Sequence, residues 1–542
     1  MDRLHSSLRE ATAAFARPRT RRVLVAFTLF SIAEWVRWIG LLVYGFQRQG
    51  AAGSAVISVI QLVPAAAITP FASSLADRYE RSRVLTGAYV LAAAGTGIAG
   101  TAALAGAPLL LVGVAAAVGL CGVTMIRPTQ ASLLPQLVET PAELTAANVT
   151  IGLVMAGSVF VGPALASAVL ALAGPTVVML IGAAMLATGA VALPRTRLRG
   201  RAVAAGERVH LFGGFAVLAQ DRSAALIVGL VEVHAAAWGL LEVLITALAL
   251  TTLGMGESGV GVLSAALGIG ALVGGGATVS LVRRRRLAPA LGLGALLWGA
   301  PLLLVGAADL VTAVVVLLLV AGSGIAFLDV ASRTLLQRSV SDDALGRVFG
   351  LLEGGYMAAW AVGAALAPVL LRLLGAPWAF VIAGALVPAV AVAGWSGLAR
   401  ADRDATIAEP ELALLRQVPM FGHLAEPVLE RLARNAGEAA FAAGTAIVSE
   451  GEPGDLFYVV AEGEVRVSVA GAEVARYGPG EYFGEIALLR DVPRQATVTA
   501  TSDVRLLSLG RAPFLIAMTG SSAAAEEADR EIARRLGSRE SR

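Results

Sequence analysis

Between Arg22 and Ala399 one texture recurs along the chain: a long apolar stretch, then a short polar joint. A helix that crosses the hydrocarbon core of a bilayer needs about 20 mostly apolar residues. Twelve stretches reach that length, roughly 22–46, 53–76, 83–106, 107–133, 144–172, 174–194, 223–252, 257–282, 287–307, 309–331, 344–372 and 376–399. Several joints are only a few residues long, so neighbouring helices are expected to run antiparallel. The longest joint, 195–222, separates the sixth stretch from the seventh and divides the region into halves, 22–194 and 223–399. The halves echo each other. LLPQLVETPAEL (133–144) resembles LLQRSVSDDAL (335–345), and GPALA (162–166) resembles GAALA (363–367) at an offset of 201 residues. A repeat of this kind places a binding site between the halves, near the bilayer midplane.

The pattern changes after Ala399. RADRDATIAEPE (400–411) is polar and Pro-bearing and reads as a linker. From Leu412 the chain reads as soluble: a short amphipathic helix, then β-rich runs separated by Gly-containing turns every 8–12 residues or so, the pattern of a small antiparallel barrel or jelly roll. The tail SSAAAEEADREIARRL reads as a helix with Ser521 or Ser522 as N-cap. The expected fold is therefore multi-domain. An all-α polytopic membrane bundle of 12 helices in a 6+6 pseudo-repeat (22–399) follows a short N-terminal segment (1–21), and a soluble β-jelly-roll domain with flanking helices (412–542) follows the linker (400–411).

Composition agrees with this division. The chain is 57% hydrophobic, with mean hydropathy +0.76 and only 15% charged residues, against about a quarter charged in soluble domains. No lysine is present, so every basic side chain apart from four histidines is an arginine. The single Cys121 excludes an intramolecular disulfide. Residues 413–542 carry 18 acidic and 14 basic residues, so the net +3 of the chain arises before them. Placing the N-terminus inside with Arg17, Arg19, Arg21 and Arg22 puts Arg78, Arg81, Arg83, Arg195, Arg197, Arg199, Arg201, Arg283 to Arg286, Arg333, Arg338, Arg400 and Arg403 on the same side. Little beyond Arg48 and Arg372 lies opposite. This bias orients both termini to the cytoplasm, in a multi-pass protein of the inner (plasma) membrane. It accounts for the basic balance without nucleic acid as a partner, and the first residues, Arg-rich and polar, do not read as a cleavable signal.

Charges within apolar stretches are informative, because each costs about 2.5–3.5 kcal/mol at a helix centre on insertion scales. Glu34 and Arg37 lie three apart on one helical face; either Glu34 takes up and releases a proton, or the two form a permanent pair. Glu242 and Glu232 are the further proton-coupling candidates, with His234 beside Glu232. Asp329, Arg333 and Glu353 add charge in the tenth and eleventh stretches. No phosphate-binding Gly-rich loop with Lys, no Ser-His-Asp set and no metal-ligand spacing stands out. An ATP-driven pump, an enzyme, a metal site and a cofactor are accordingly not expected.

SSLADRYERSRVL (73–85) closely resembles the signature Gly-x-x-x-Asp-Arg-x-Gly-Arg-Arg of the major facilitator superfamily. Asp77, Arg78, Arg81 and Arg83 match it, while Ser73 and Glu80 replace its glycines. The resemblance implies a charge latch that holds one gate state. SVFVGPALAS (158–167) resembles the superfamily's antiporter motif through Gly162 and Pro163, and AEWVRWIGLLVYGF (33–46) resembles the first helix of its macrolide- and siderophore-exporter branch. Together these lean towards export. RPTQ (127–130) looks superficially like a further helix-four element, Arg-x-x-Gln-Gly, but lies too near the end of its stretch, with Pro128 out of place, and is not assigned to it.

FGEIALLRDVPRQATV (483–498) poses a different chemistry. A phosphate in a soluble pocket wants convergent backbone N–H groups and a fixed cation. Gly484 permits close backbone approach, EIALL gives a short helix, and Arg494 offers a bidentate contact to phosphate. Glu485 suits a sugar hydroxyl rather than a phosphate. The stretch closely resembles the phosphate-binding cassette of cyclic nucleotide-binding domains, and the resemblance extends over about 412–536. It implies that Glu485 binds the ribose 2′-hydroxyl, that Arg494 binds the cyclic phosphate, and that backbone groups of Gly484, Ala487 and Gln495 complete the cradle. Gln495 stands where relatives often carry Ala or Thr, and the expected ligand is cAMP, with cGMP as the alternative. The whole chain reads as a secondary active transporter for proton-coupled export of an unknown small molecule, regulated by cytoplasmic cyclic nucleotide. The competing reading is a membrane-anchored cyclic nucleotide receptor whose bundle does not transport.

Overall fold

The computed structural model describes residues 18–134, 137, 141–194, 213–278, 286–340, 342–404, 409–422, 424, 426–519, 527 and 530, and the side chains of most of them. They form a helical unit and a β-rich unit that divide near residue 406.

The helical unit comprises α1 (Pro18–Arg78), α2 (Arg81–Leu104), α3 (Leu109–Leu133), α4 (Pro141–Ala192), α5 (Gly213–Gln220), α6 (Arg222–Ala247, extended by a π-helical turn Leu248–Thr252), α7 (Glu257–Thr278), α8 (Ala288–Val305), α9 (Val311–Ser339), α10 (Asp342–Ala393) and α11 (Trp395–Asp404). Among the described residues, nine helices are long and apolar enough to cross a membrane. Three of these are broken once: α1 at Gln49–Gly50, α4 at Gly174 and α10 at Gly375. The breaking glycines have φ of +59°, +76° and +78°, a region that L side chains adopt only at a cost. At the first break the chain doubles back. A Cβ on Gly53 would lie 2.0 Å from the carbonyl oxygen of Gly45, and the Ser54 hydroxyl donates to the Leu42 carbonyl at 2.8 Å.

The second and third breaks correspond closely. The helices α4 and α10 each span 52 residues, and Gly174 (φ 76°, ψ 177°) matches Gly375 (φ 78°, ψ 171°). Both start and break positions differ by the 201 residues found in the sequence echo. The neighbours correspond as well. A Cβ on Gly162 would meet Trp35 Cβ at 2.5 Å, and a Cβ on Gly363 would meet the Ala236 carbonyl at 1.8 Å. Small residues thus let α4 approach α1, and α10 approach α6, at equivalent points.

The expected linker 400–411 is helical at both ends, since α11 runs to Asp404 and α12 begins at Glu409. Residues 405–408 lie outside the described ones. Buried Asp402 explains the first extension: its carboxylate accepts from the backbone N–H of Leu287 at 2.8 Å and Ala288 at 3.1 Å, capping α8.

In the β-rich unit, α12 (Glu409–Gln417), a 3₁₀ turn (Pro419–Phe421) and α13 (Glu426–Arg434) precede eight strands. These are β1 (Gly437–Phe441), β2 (Ala446–Val448), β3 (Leu456–Glu462), β4 (Val465–Val469), β5 (Ala472–Tyr477), β6 (Tyr482–Phe483), β7 (Thr497–Ala500) and β8 (Val504–Gly510). A short α14 (Glu485–Arg490) lies between β6 and β7, and α15 (Arg511–Thr519) follows β8. Two four-stranded antiparallel sheets result, in the orders β1-β8-β3-β6 and β2-β7-β4-β5. Period-two alternation on β3 builds two cores. Phe457 and Val459 pack with Phe421, Phe514 and the flanking helices, while Tyr458 and Val460 pack with Val448, Val498 and Phe483 of the other face. The tail expected to be helical lies outside the described residues apart from Glu527 and Arg530, whose side chains pair at 2.8 Å.

Candidate functional site

In the β-rich unit, β6 ends at Phe483 and Gly484 turns the chain into α14 with φ +97°. This left-handed N-cap brings its carbonyl to Arg494. The Arg494 guanidinium donates through Nη1 to the Gly484 carbonyl at 3.2 Å and through Nη2 to the Leu456 carbonyl at 2.7 Å. Its backbone is fixed against the preceding turn, with Arg494 N–H donating to Glu452 O and Gly451 N–H donating to Arg494 O, both at 2.8 Å. Glycines flank the guanidinium. A Cβ on Gly484 would lie 2.6 Å from Nη1, and a Cβ on Gly454 would lie 2.7 Å from Nε and 2.8 Å from Ala487 Cβ.

Arg494 is 6% exposed and Glu485 1% exposed, so a cation and a carboxylate are both withdrawn into one cradle. Burial pushes the guanidinium below its ordinary value, while Tyr458, Asp455, Glu485 and Glu452 act against that shift. Burial raises the Tyr458 phenol, opposed by Arg494. The structure thus brings Gly484, Glu485, Ala487 and Arg494 together. The Gln495 side chain is exposed and turns back to donate to the Pro493 carbonyl at 3.0 Å. Gly454 was not singled out from sequence; the only signal was a Pro-Gly-Asp turn, which says nothing of what it packs against.

In the helical unit a cavity lies between α1, α4, α6, α7 and α9. Its walls include Trp35, Trp38, Trp238 and Glu242, and it is lined by neither Glu34 nor Glu232. Glu242 Oε2 accepts from the indole N–H of Trp38 at 2.9 Å and of Trp360 at 3.0 Å, and Oε1 accepts from Trp238 at 3.0 Å. Three helices, α1, α6 and α10, thus converge on one carboxylate.

Glu34 and Arg37 do not pair as their spacing suggested. Glu34 pairs with Arg127 of α3 at 2.6 Å, and buried Arg37 donates to Gln61 Oε1 at 3.2 Å. Arg127, set aside on sequence position, is therefore the partner of Glu34. The face of α1 that carries Glu34 turns to α3, a packing that one helix's spacing cannot reveal. One oxygen of Glu232 is buried without a hydrogen bond, and the carboxylate abuts Gly355 of α10. Arg333 bridges Asp329 at 2.7 Å and Glu353 at 2.9 Å. Buried His234 packs edge-on against Trp298 at 4.9 Å.

Of the latch residues, Arg83 pairs with Glu80 at 2.7 Å, the residue that replaces a glycine of the signature. Arg81 opens α2, and the side chains of Asp77 and Arg78 lie outside the described ones. Gly162 seats α4 against Trp35, and the Pro163 carbonyl lies where a Cβ on Gly261 of α7 would fall, 2.7 Å away. Among the described residues no cluster of His, Cys, Asp and Glu is arranged to hold a metal ion.

A polytopic helical bundle with a facing-helix cavity, joined to a double-sheet domain with an arginine cradle, defines a membrane protein with a ligand-binding module. The model of the Major Facilitator Superfamily matches residues 23–308 and 228–449, and that of the cyclic nucleotide-binding domain matches residues 438–519. The chain belongs to the Major Facilitator Superfamily and carries a C-terminal cyclic nucleotide-binding domain. It is 42% identical over 102 residues to a cAMP-dependent protein kinase regulatory subunit of Yarrowia lipolytica, covering 18% of this chain and 27% of that one. It is also 42% identical over 113 residues to a cyclic nucleotide-gated potassium channel of Mesorhizobium japonicum, covering 21% and 31%. The chain thus spans about a quarter to a third of the length of these curated relatives. Among solved structures, the catabolite activator protein of Thermus thermophilus is 31% identical over 22% of this chain and 60% of that one, with a TM-score of 0.21.

Proposed function

We propose that this protein is a secondary active transporter of the plasma membrane whose activity is set by cytoplasmic cyclic nucleotide, with cAMP preferred. The observation that carries the sensor half is the cradle, in which Arg494 and Glu485 are both buried and Gly454 and Gly484 leave room only for the guanidinium. A cyclic phosphate bonded to Arg494 pairs that cation with an anion, while the ribose hydroxyl donates a hydrogen bond to Glu485. The names of the relatives, a cAMP-dependent kinase subunit and a nucleotide-gated channel, support a regulatory ligand and favour cAMP.

Twelve spans in two pseudo-equivalent halves, with both termini cytoplasmic, fit the three glycine breaks and the matched contacts of Gly162 and Gly363. Proton-coupled export of a small molecule is the transport mode. Of the acidic candidates Glu34, Glu242 and Glu232, Glu242 becomes the leading one, because it alone lines the cavity between the halves. The bundle and the sensor carry out no covalent chemistry. Nucleotide binding biases the two access states by about 1–3 kcal/mol, a roughly 5- to 150-fold change in a binding equilibrium.

Calorimetric titration of cAMP and cGMP into the full chain in lipid nanodiscs tests the sensor. Saturable binding of cAMP that is lost in Arg494→Ala is the expected result. A folded chain that binds neither nucleotide removes the regulatory half of the proposal.

A further inference from the structure

We infer that α11 and the helix ends it touches form a docking surface for an anionic phospholipid, with the phosphate on Arg400, Arg403 and the arginines beside them and an acyl chain beside Trp395. The inference needs a membrane-spanning bundle and neither transport nor nucleotide binding.

Helix α11 packs against α6, α8, α9 and α10. Its inner face carries buried Leu398, Ala401 and Asp402, the last of which caps α8. Glycines bring it close to α6: a Cβ on Gly394 would lie 2.7 Å from Leu226 Cδ1, and one on Gly397 would lie 2.6 Å from Leu226 Cδ2. Ser396, Arg400 and Arg403 are exposed and share the opposite face at helical spacing. Exposed Arg286 directly precedes Leu287, whose N–H is bonded to Asp402, and exposed Arg222 lies one turn before Leu226. Four arginines thus gather on and around one short helix.

The nearby carboxylates do not neutralise them. Asp402 accepts from Leu287 and Ala288, and Asp221 accepts from the backbone N–H groups of Ser223 at 2.8 Å and Ala224 at 3.0 Å. Among the described residues, none of these four arginines is held in an ion pair. The surface therefore presents unpaired positive charge, complementary to an anion.

The surroundings make that anion a lipid. Trp395 lies over Gly292 of α8, where a Cβ would meet ring atom Cζ3 at 2.9 Å. Leu293 and Leu296 of α8 and Val392 at the end of α10 are 46%, 58% and 75% exposed, an apolar surface suited to acyl chains. Along α8 the capped end at Ala288, the indole at Gly292 and then Leu296 follow at intervals of about 6 Å. That spacing matches a headgroup layer about 5–8 Å deep over the hydrocarbon. A free anion would use the arginines alone. A phospholipid uses the arginines through its phosphate, the indole at the level of its glycerol and the leucines through its chains.

The test places the full chain in phosphatidylcholine nanodiscs and titrates in brominated phosphatidylglycerol or, in parallel, brominated phosphatidylcholine, with tryptophan quenching as readout. The share of quenching due to Trp395 is the difference from Trp395→Phe. Half-quenching of that share is expected at a fraction of phosphatidylglycerol at least about tenfold lower than of phosphatidylcholine. Arg400→Gln combined with Arg403→Gln should close most of the gap, at about fivefold per arginine. Neither side chain holds a partner that the fold depends on, and Arg286→Gln gives a second, independent reading. Arg372→Gln, three residues before the break of α10, should change nothing. Equal half-quenching by the two lipids, an unchanged gap in the arginine variants, or an equal loss in Arg372→Gln overturns the inference. Displacement of the brominated phosphatidylglycerol by millimolar inorganic phosphate also overturns it, since the surface would then be a site for free phosphate.

Discussion

Gly454→Ala offers a sharp perturbation of the nucleotide cradle because it adds one methyl group at a point where nothing else changes. The residue is not in the left-handed region, so the substitution carries no backbone penalty. The new Cβ would lie 2.7 Å from Arg494 Nε, 2.8 Å from Arg494 Cζ and 2.8 Å from Ala487 Cβ. Optimal carbon separations are about 3.5–4.0 Å, so the overlap approaches 1 Å on two sides. The guanidinium can swing away, but Ala487 is fixed in α14. Overpacking of this kind costs about 1–3 kcal/mol. A displaced Arg494 gives up its bonds to Leu456 and Gly484 and its aim at a phosphate, and a hydrogen bond to a charged group is worth about 1.5–3 kcal/mol. The expected loss of cAMP affinity is therefore about 10- to 150-fold. Calorimetry on the full chain measures it, with Gly478→Ala as control, since a Cβ there meets open space. Wild-type affinity in a folded Gly454→Ala protein would refute the proposed role of the cradle.

Glu485→Gln should lower cAMP affinity about 10- to 100-fold while leaving 2′-deoxy-cAMP nearly unaffected, because only the ribose hydroxyl contact is lost; equal losses for both ligands count against that contact. Gly363→Ala forces a Cβ against a carbonyl 1.8 Å away and Gly162→Ala forces one against Trp35 Cβ at 2.5 Å. Each should cost about 1–3 kcal/mol of stability, read as a lower Tm in detergent, and an unchanged Tm contradicts the close helix approach. Asp402→Ala should remove about 1–2 kcal/mol of capping from α8, seen as faster hydrogen exchange at Leu287 and Ala288; unchanged exchange there sinks the capping role.

The apolar stretches and the alternating runs after Leu412 announce a helical bundle and a double-sheet domain because burial leaves a periodic trace in sequence. Gly484, Glu485 and Arg494 are legible for a related reason, as they sit within eleven consecutive residues. What remained hidden depends on contacts between distant segments. Glu34 had a plausible partner three residues away, yet the arginine that reaches it is 93 residues on. Glu242 was visible as a charge in a greasy stretch, but its indole donors lie 204, 4 and 118 residues away. Gly454 is silent for the same reason, since its role consists of what approaches it from β7's entry and from α14. The boundary after Ala399 shows local polarity overridden: Asp402 looks like linker and instead caps another helix.

The carbonyls of Leu456 and Gly484 that hold Arg494 have a consequence for the entropy of binding. They engage one N–H on Nη1 and one on Nη2 and leave three of the guanidinium's five donors for an incoming anion. The anion therefore meets a side chain whose rotamers the backbone has already fixed, and the cost of ordering a long arginine is met by the fold before any ligand arrives. Inorganic phosphate gains from that ordering as much as a cyclic nucleotide does, so discrimination between the two falls to Glu485, for which a bare phosphate has no ribose hydroxyl.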